Sequence, residues 1–502
     1  MRSLGEQLSE IVGQKYVSEE RHVRWAYARD LGPWRERMPD VVVRPGDPYE
    51  ISAIVDLANR LRVPIWPRGG GASPVGGGMP LKPYGILLDM TRMNSVEIDD
   101  GDMVAVAEAG ATFGSLIHEL WKRGLDTFRG PGSGLAASVG GAASMSSNWH
   151  ASLKYGGMGD VIKGLEVVLP TGEPIRTSSG YKWPHRFYAR YHGTPDLTGL
   201  FVGDHGTLGV KTKVSFGLWE KPEYADGVGW GVDNIEDMQT IFQKISRRRL
   251  AIDMNYHDRL IIQFQAYLHN NVGYDGIGPE MRRWLKAIYD DLEESDNVER
   301  FEKKADMIAL AVVEEYSKSV VDEKIKMIEK IVNENGGWLM GRRYAMDYHN
   351  NQLHGFYQPF MNVDPGLGTS FIGSGGLIRP SQFTKSREIL YNYLEENKED
   401  LEKHEIGGTF FGYVLGPSAI AVYPGVLGDQ YHVPSRERVV YHAKRIRDEY
   451  MKSECGWQPY FAGEWGTEGY LKTLYAPYYY LLRNIKKLLD PNNILNPGML
   501  GL

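Results

Sequence analysis

The sequence predicts an α+β protein of two or more domains, with an antiparallel sheet flanked by helices in its second half. Three observations predict this fold class. The chain has 502 residues, which is more than one hydrophobic core usually serves. Residues 62–220 are rich in glycine and in strand candidates, with few long helical patterns besides Phe113–Arg123. From 225 to 470, amphipathic helical periodicity alternates with short apolar runs, which is typical of an α+β domain.

The elements follow in order along the chain. A helix begins the chain, and strand Val41–Val43 and an amphipathic helix around Tyr49–Leu61 follow it. Helical periodicity in the second half covers Ile235–Arg249, Gly278–Glu293, Ser319–Asn335, Ser381–His404 and Ser435–Ser453. The strand candidates between these helices are Leu260–Leu268, Met307–Val313 and Ser418–Val422. The uncharged stretch 406–428 is interrupted by glycines and prolines, so it predicts buried strands and turns rather than a membrane span. A tyrosine-rich helix, Tyr470–Asp490, ends at a proline.

The most informative pattern lies between two strand candidates, Val63–Trp66 and Ile86–Leu88. The first strand runs into Pro67-Arg68 and then into Gly69-Gly70-Gly71-Ala72-Ser73, which we call the Gly-rich loop. Consecutive glycines let bare backbone N–H groups converge on an anion, so a phosphate or pyrophosphate is the expected ligand. The pattern is neither a P-loop nor a Rossmann fingerprint, because it lacks the Gly-Lys-Ser/Thr ending and the following helix. A plain Gly-rich hairpin remains the alternative at this point.

Composition narrows the function classes. A net charge of −7 and a pI near 6.1 argue against a nucleic-acid partner. The one cysteine, Cys455, excludes a disulfide framework and any cysteine-ligated metal cluster within this chain. The N-terminal residues MRSLGEQLSEIVG lack the apolar core of a secretory signal, so we expect a cytoplasmic protein without a transmembrane segment.

Four separated segments resemble one family. They are Pro39–Ser73, Ser138–Glu173, Asp196–Val210 (DLTGLFVGDHGTLGV) and Asp490–Gly498 (DPNNILNPG). Their order and spacing resemble the FAD-dependent oxidoreductases of the vanillyl-alcohol oxidase and p-cresol methylhydroxylase (PCMH) superfamily, and within it the glycolate oxidase and D-lactate dehydrogenase branch. The resemblance implies a PCMH-type FAD-binding domain made of two α+β subdomains, together with an α+β cap domain.

FAD is the cofactor that the resemblance implies, with its pyrophosphate in the Gly-rich loop. Gly140-Gly141 would let the backbone approach a flat ring, and Ser138 can hydrogen-bond a phosphate or flavin oxygen. The resemblance assigns FAD contacts to Pro67, Arg68, Gly69, Gly70, Gly71, Ala72, Ser73, Pro131, Gly132, Ser138, Gly140, Gly141, Ser144, Gly206, Val210 and Asn496. For Asn496, an ordinary turn residue is the alternative.

The chain departs from the family at its metal motif. D-lactate dehydrogenase relatives carry two histidines at positions that are Val426 and Trp465 here. Only His432 and Glu464 remain of the ligand set, and a catalytic metal usually takes about three protein ligands. We therefore expect no metal. The first loop also lacks the histidine through which some relatives attach FAD covalently.

The reaction that the resemblance implies is hydride transfer from a CH–OH carbon to flavin N5. The substrate also loses its hydroxyl proton, so a base is needed. His432 is the first candidate, since its ordinary pKa is close to neutrality, and Glu464 is the second, as base or as partner of His432. A histidine that only caps or borders a helix before Pro434 is the alternative for His432.

The substrate side remains open between two classes. A 2-hydroxy acid needs a planar cation for its carboxylate, and Arg342 or Arg343 is the candidate, with a salt bridge to neighbouring acids as the alternative. A para-substituted phenol or aryl alcohol would use aromatic residues such as Tyr460. Trp149 and His150, which follow the Gly140-Gly141 segment, are further candidates for substrate contact.

The predicted domains are an FAD-binding domain (1–220), a substrate or cap domain (221–469) and a C-terminal tail (470–502). The predicted function is oxidation of the CH–OH group of a D-lactate- or glycolate-like 2-hydroxy acid. Oxidation of a para-substituted phenol or aryl alcohol is one alternative, and a non-catalytic flavin-binding subunit of a larger redox complex is another. The expected partners are a small-molecule substrate, a second copy of the chain and an unidentified electron acceptor, for which oxygen, a quinone, a cytochrome and an electron-transfer protein are the alternatives.

Overall fold

The computed structural model describes residues 2–30, 32–182, 187–191, 193–276, 278–351, 369–373, 375–429, 432–460 and 469–502. The chain forms two compact units. The first unit contains residues 1–147, 157–221 and 461–502, and the second contains 148–156 and 222–460. The sequence predicts domain boundaries after residues 220 and 469, and the structure divides the chain after residues 221 and 460. The short segment 148–156 belongs to the second unit.

The first unit is built on two main sheets. The strands of the smaller sheet run in the order Val17–Ser18, Val41–Val43, Ile86–Asp89 and Ile65–Arg68. The strands of the larger sheet run in the order Val96–Asp99, Val104–Glu108, Val210–Gly217, Ile162–Val168 and Pro174–Arg176. A short pair, Trp219–Glu220 with Leu125–Asp126, completes the described strands of this unit.

The strands on either side of the Gly-rich loop are parallel. Ile65 pairs with Ile86 and Arg68 with Asp89 in parallel register. Because a two-strand hairpin must be antiparallel, this pairing rules out the plain Gly-rich hairpin. The loop is therefore the start of a crossover between neighbouring parallel strands.

Helices cover the sheets of the first unit. Those described are Leu4–Val12, Arg21–Ala26, Pro48–Leu61, Phe113–Trp121, Val139–Ser144, Met158–Val161, Leu197–Phe201, Tyr470–Leu474 and Ala476–Leu489. The predicted helix at 49–61 begins at Pro48 because the Asp47 carboxylate accepts the N–H groups of Tyr49 and Glu50, which caps the helix. Its face of Ile51, Ile54, Val55 and Ala58 is buried against the smaller sheet.

The second unit is organised around one large sheet in which every strand pairing is antiparallel. The strand order is Gly337–Gly341, Tyr224–Val232, Met307–Glu315, Asp253–Asp258, Gly407–Val414, Ile420–Asp429, Gly376–Ile378 and Gln458–Pro459, and Thr369–Gly373 also pairs with Ile420–Asp429. The predicted antiparallel sheet is confirmed, and the uncharged stretch 406–428 forms two of its strands.

The described helices of the second unit flank this sheet. They are Ser152–Tyr155, Ile235–Arg247, Arg259–Tyr267, Pro279–Glu294, Val298–Lys303, Lys318–Glu334, Arg343–Asn351, Phe383–Glu396, Lys398–Lys403 and Val433–Lys452. In the parts of the chain that the structure describes, none of the helices is long and apolar enough to cross a membrane.

One strand prediction is wrong. The segment predicted as strand Leu260–Leu268 is the helix Arg259–Tyr267, which continues into a short π-helical turn. The Asp258 carboxylate caps its first turn by accepting the Leu260 N–H, and Ile261, Ile262 and Gln265 lie on one buried face. A run of this length is too short for periodicity alone to separate a buried helix from a strand.

Alternate glycines in strand Tyr224–Val232 bring a helix close to the sheet. A Cβ on Gly227 would lie 2.6 Å from the Cβ of Ala345, and one on Gly229 would lie 3.2 Å from the ring of Tyr344. The bare backbone at these positions lets the helix Arg343–Asn351 pack directly on the sheet. This packing places the tyrosines of that helix over the sheet face described below.

Candidate functional site

The Gly-rich loop lies directly against the second predicted cofactor segment. A Cβ on Gly69 would lie 1.8 Å from Oγ of Ser138, and one on Gly70 would lie 1.8 Å from the carbonyl oxygen of Ala136. Gly71 has φ of +64°, the left-handed conformation that lets successive N–H groups converge. The glycines are therefore required by geometry, because any side chain at 69 or 70 would push the loop away from Ser138.

Ser138 begins the helix Val139–Ser144. Its hydroxyl accepts the Gly141 N–H at 3.3 Å and so caps the helix. The Gly140 N–H donates to the Ala109 carbonyl at 2.9 Å, and a Cβ on Gly140 would lie 2.6 Å from that residue's Cβ. Gly140 is thus needed for packing against the strand region at 109, a reason that differs from the predicted approach to a ring.

The third predicted segment docks on the same helix. The backbone N–H groups of Gly203 and His205 donate to the carbonyls of Ala143 and Ser144, each at 2.9 Å. The fully buried Asp204 carboxylate accepts the Gly206 N–H at 2.9 Å and pairs with Lys211. These contacts fix the turn through Gly206, whose φ is +69°.

Asn496 connects the C-terminal motif to both other segments. Its side-chain N–H donates to the His205 carbonyl at 2.7 Å, and its backbone N–H donates to the Ile65 carbonyl at 3.0 Å. Asn496 is buried, so its amide is a fixed polar group beside Gly206 rather than an exposed turn residue. The structure thus brings together residues from all four predicted segments within the first unit.

The remaining predicted cofactor residues take three kinds of position. Pro67 lies beside Gly206, and Val210 is buried at the start of a sheet strand. Pro131 and Gly132 lie in the turn that leads to 136–138. The Arg68 guanidinium donates to the carbonyls of Arg29 and Gly78 at 2.8 and 2.5 Å, so it ties the start of the Gly-rich loop to both of those segments.

A separate cluster of buried polar side chains lies on one sheet face of the second unit. Asn255 and His257 project from strand Asp253–Asp258 towards the helix Arg343–Asn351. The Tyr344 hydroxyl bonds Nδ1 of His257 at 3.0 Å, and one helical turn later the Tyr348 hydroxyl bonds Nδ1 of His150 at 2.9 Å. Burial raises the pKa of Tyr348 well above its ordinary value and lowers that of His257 to about 3. Tyr348 is therefore a protonated hydroxyl and His257 is neutral at physiological pH.

The segment 148–151 is held in a strained conformation by this cluster. Trp149 has φ of +151° and Ala151 of +65°, values that cost non-glycine residues about 1–3 kcal/mol each. The Ala151 N–H donates to the Asp253 carboxylate at 2.8 Å, and the Trp149 N–H donates to the Ser152 hydroxyl at 2.9 Å. Strain that surrounding bonds maintain in this way is concentrated at functional sites.

Aromatic rings surround Trp149. Its ring centroid lies 4.4 Å from that of Tyr413 and 5.8 Å from that of Tyr423. Tyr423 stacks on Phe411 at 5.4 Å, and the Tyr413 hydroxyl bonds the Asn148 side chain. We call Trp149, Phe411, Tyr413 and Tyr423 the aromatic cluster.

Comparison with known proteins identifies the first unit. Residues 39–178 match the FAD binding domain family, and residues 466–500 match the C-terminal domain of the FAD linked oxidases. The chain therefore carries an FAD binding domain and, near its C-terminal end, a segment of the FAD linked oxidase C-terminal domain. The predicted family and its FAD cofactor are thereby confirmed.

Curated relatives of the chain include a glycolate oxidase subunit and a D-lactate dehydrogenase. The chain is 32% identical over 260 residues to the glycolate oxidase subunit GlcD of Bacillus subtilis, covering 51% of this chain and 54% of that protein. It is 27% identical over 263 residues to a D-lactate dehydrogenase of Archaeoglobus fulgidus, covering 51% and 55%. The chain thus spans about half the length of the curated relatives it matches.

Solved structures share the fold over nearly the whole chain. A p-cresol methylhydroxylase with substrate bound matches with a TM-score of 0.80 at 18% identity, over 99% of this chain and 96% of that one. An alkyldihydroxyacetonephosphate synthase matches with a TM-score of 0.72 at 17% identity, over 99% and 85%. These likenesses confirm the predicted PCMH-type fold.

The geometry of the first unit fits FAD. The Gly-rich loop offers backbone N–H groups without side chains, which suits a pyrophosphate. Ser138 and Asn496 supply a hydroxyl and an amide beside that loop and beside Gly206. Gly69 to Gly71, Ser138, Gly206 and Asn496 are accordingly the residues that would hold the cofactor.

The predicted catalytic residues are dispersed in the structure. His432 is exposed before the helix Val433–Lys452, with Nδ1 bonded to the Ser435 hydroxyl at 2.8 Å. Arg342 is exposed and pairs with Asp226 and Glu329, and Arg343 is exposed and pairs with Glu294 at 2.5 Å. The backbone N–H of Tyr460 donates to the Gly375 carbonyl at 2.8 Å, and Glu464 lies outside the described residues. Their catalytic roles stay predictions.

Metal ligands do not gather in the described part of the chain. No group of three His, Cys, Asp or Glu side chains among the described residues has the arrangement to hold a metal ion. The ring of His432, one of the two residues that remain of the predicted ligand set, bonds the Ser435 hydroxyl.

Asp30, whose carboxyl lies beside Arg68, makes the stability of the protein depend on pH. Its Oδ1 accepts the Gly32 N–H at 2.9 Å, and burial raises the pKa of its carboxyl from 3.8 to about 6, although the neighbouring Arg68 opposes the shift. A raised folded-state pKa means that the folded protein holds the proton more tightly than the unfolded chain. The contribution of Asp30 to stability is therefore greatest below pH 3.8 and declines as the pH rises to about 6.

The variant Asp30→Asn tests this dependence. We expect the free energy of unfolding of the wild type to lose up to about 3 kcal/mol between these pH values through Asp30, and the variant to lack that loss. Urea unfolding at a series of pH values measures the difference. Parallel pH profiles for the two proteins would contradict the assignment.

Proposed function

We propose that this protein is an FAD-dependent oxidoreductase that oxidises a CH–OH group by hydride transfer to flavin N5, with a D-lactate- or glycolate-like 2-hydroxy acid as its substrate. The observation that carries the proposal is the Gly-rich loop packed on Ser138 in a chain whose curated relatives include a glycolate oxidase subunit and D-lactate dehydrogenases. When bound, FAD supplies the two-electron chemistry, and the protein supplies position, polarity and proton transfer.

In the first unit, the Gly-rich loop, Ser138 and Asn496 would hold the cofactor. The predicted roles of His432, Glu464 and Tyr460 in proton transfer or binding, and of Arg342 and Arg343 in carboxylate binding, belong to this proposal as alternatives for test by substitution.

A second candidate substrate class is favoured by the aromatic cluster. The side chains packed on Trp149 are aromatic, and its indole bonds a neutral tyrosine. Uncharged aromatic side chains suit the ring of a para-substituted phenol or aryl alcohol better than a small carboxylate. Arg342 and Arg343 are already paired with carboxylates of the protein, which also favours an uncharged substrate over a carboxylate.

Matched substrates separate the two classes. The purified, FAD-loaded protein is mixed without oxygen with D-lactate or its methyl ester, and with 4-hydroxybenzyl alcohol or benzyl alcohol. We expect rapid bleaching of the flavin band by D-lactate and slow bleaching by the ester, which lacks the carboxylate. Bleaching by 4-hydroxybenzyl alcohol alone would replace the hydroxy acid with the phenol class.

A yellow protein that no substrate bleaches would support the non-catalytic flavin-binding subunit instead. We further propose that the protein passes its electrons to a separate acceptor, assembles as a homo-oligomer and is located in the cytoplasm. The cytoplasm accords with a chain whose one cysteine, Cys455, is buried and unpaired.

A further inference from the structure

The tyrosine-rich helix near the C-terminus, Ala476–Leu489, is apolar on the side that it turns to solvent. Its buried residues are Tyr479 and Lys486, two turns apart on its inner side. Leu481 and Leu488 each follow one of these by two residues, which places them about 200° around the helix axis from the buried pair. Leu481 is 61% exposed and Leu488 is 79% exposed. Both leucines therefore project away from the first unit.

Exposed tyrosines extend this apolar surface. Tyr478 is 59% exposed and Tyr480 is 46% exposed, and both are on the same helix as the two leucines. A surface helix of a soluble protein usually turns polar and charged residues to solvent, so this helix departs from the ordinary pattern. We call Tyr478, Tyr480, Leu481 and Leu488 the outer face.

The charges next to the outer face are all positive. Residues 469–489 include Lys472, Arg483, Lys486 and Lys487 and contain neither aspartate nor glutamate. Lys486 is buried, and the other three basic residues are exposed. The whole chain has a net charge of −7, so this segment is opposite in sign to the protein that carries it.

An exposed helix of the second unit shows that the combination is unusual in this chain. Val320 and Met327, on the helix Lys318–Glu334, are 38% and 41% exposed. The charges of that helix have both signs, and the Lys318 ammonium group pairs with the Asp322 carboxylate at 3.1 Å. The outer face differs because its apolar side chains are more exposed and its neighbouring charges have one sign.

These features favour a lipid surface over a second copy of the chain. A two-fold dimer pairs a surface with itself, which would set Arg483 and Lys487 against the same residues of the other copy. Lysine is also depleted from protein–protein interfaces. An anionic bilayer attracts lysine and arginine, accepts leucine side chains at its acyl boundary and takes tyrosine rings at the level of its headgroups.

We propose that the outer face binds the surface of an anionic phospholipid bilayer, with the helix Ala476–Leu489 lying in the plane of the headgroups. The two leucines enter the acyl boundary, the tyrosine rings lie among the headgroups, and Arg483 and Lys487 lie near lipid phosphates. This contact is peripheral and accords with a location in the cytoplasm. It goes beyond the proposed function, because it does not depend on which substrate the protein oxidises.

Vesicle flotation of the FAD-loaded protein tests the proposal. The probes are vesicles of phosphatidylglycerol and phosphatidylcholine in equal parts, and vesicles of phosphatidylcholine alone. We expect the protein to float with the mixed vesicles and to stay behind with the uncharged ones. Added salt should release it, because salt screens the attraction between the basic residues and the lipid.

The apolar contribution is tested with the double variant Leu481→Gln/Leu488→Gln. We expect its affinity for the mixed vesicles to fall by about 10-fold or more, because it loses two apolar side chains from the acyl boundary. Val320→Gln/Met327→Gln makes the same kind of change on the exposed helix of the second unit and should bind as the wild type does. Both variants should keep FAD.

The electrostatic contribution is tested with Arg483→Gln/Lys487→Gln. Each lost positive charge should weaken binding to the mixed vesicles by roughly 5-fold. Lys326→Gln/Lys330→Gln changes the net charge of the protein by the same amount at another exposed helix and should bind as the wild type does.

The outcomes separate the lipid surface from its alternatives. A protein that does not float with the mixed vesicles would overturn the proposal, and so would equal binding by the wild type and both outer-face variants. If Leu481→Gln/Leu488→Gln instead converts a dimer into a monomer in analytical ultracentrifugation and leaves flotation unchanged, the outer face is an interface between copies. Flavin reduction enters none of these measurements, so their failure leaves the proposed function standing.

Discussion

Replacement of Gly70 by valine is expected to give a colourless protein. A Cβ at this position would lie 1.8 Å from the Ala136 carbonyl oxygen, closer than any real contact. The atoms near it belong to the backbone of Ala136 and Ser138, which cannot rotate away as a side chain could. The loop must therefore move off the 136–138 segment, and its N–H groups lose their convergence on the pyrophosphate. The measurement is the visible spectrum and FAD content of the purified variant.

Gly101→Ala is the matched control for Gly70→Val. Gly101 lies in an exposed turn of the same unit, and a Cβ there would meet only the Asp99 carboxylate oxygen, at 3.5 Å. We expect this control to be yellow and fully loaded. Circular dichroism of both variants establishes that the fold is retained. A folded, FAD-replete Gly70→Val protein would remove the pyrophosphate from the Gly-rich loop.

Replacement of Lys486 by methionine is expected to destabilise the protein by about 3–5 kcal/mol. The buried ammonium group donates to the carbonyls of Thr207 and Leu495 at 2.8 and 2.7 Å and to the Asp490 carboxylate at 2.5 Å. Methionine matches its shape but leaves the Asp490 charge buried without its cation. Denaturant unfolding measures the loss.

The neighbouring Lys487 offers the control for Lys486. Lys487 is exposed on the same helix, so Lys487→Met should change the free energy of unfolding by less than about 0.5 kcal/mol. The double variant Lys486→Met/Asp490→Asn should be more stable than Lys486→Met alone, because it removes the stranded charge. A cost below about 1 kcal/mol for Lys486→Met would contradict the role of this ion pair in holding the C-terminal motif.

Much of the fold could be predicted because its signals are local. Helix 49–61 follows a capping Asp47 and carries one apolar face, and the alternation of helices and apolar strands after residue 225 predicts the antiparallel sheet. The four cofactor segments are recognisable in the sequence because their motifs, order and spacing resemble those of a known family. Their convergence on Ser138, Gly206 and Asn496 follows from contacts up to several hundred residues apart.

The second-unit cluster could not be predicted in the same way. Strand Asp253–Asp258 reads DMNYHD, and its polar residues suggest an exposed segment, yet all six are buried in the middle of the sheet. Asn255 and His257 are enclosed by tyrosines of a helix about 90 residues later, a partnership without any local signal. The i,i+4 spacing of Tyr344 and Tyr348 is the one pattern that sequence reasoning missed and could have used.

Contacts without a local sequence signal also limit how well catalytic candidates can be predicted. His432 and Arg342 resemble motifs from which this chain has diverged, and in the structure both are exposed, with His432 bonded to Ser435 and Arg342 paired with Asp226. The sequence predicts substrate contact for His150 only from its position after the Gly140-Gly141 segment. Its burial and its bond to Tyr348 depend on the tertiary fold.

The most direct test of the central claim is anaerobic addition of D-lactate or glycolate to the purified, FAD-loaded protein. The account predicts that the visible band of oxidised flavin bleaches and that the corresponding 2-oxo acid appears in equal amount. A yellow protein whose flavin stays oxidised with both acids would contradict the proposed substrate class, and a protein that cannot take up FAD would contradict the assignment of the first unit.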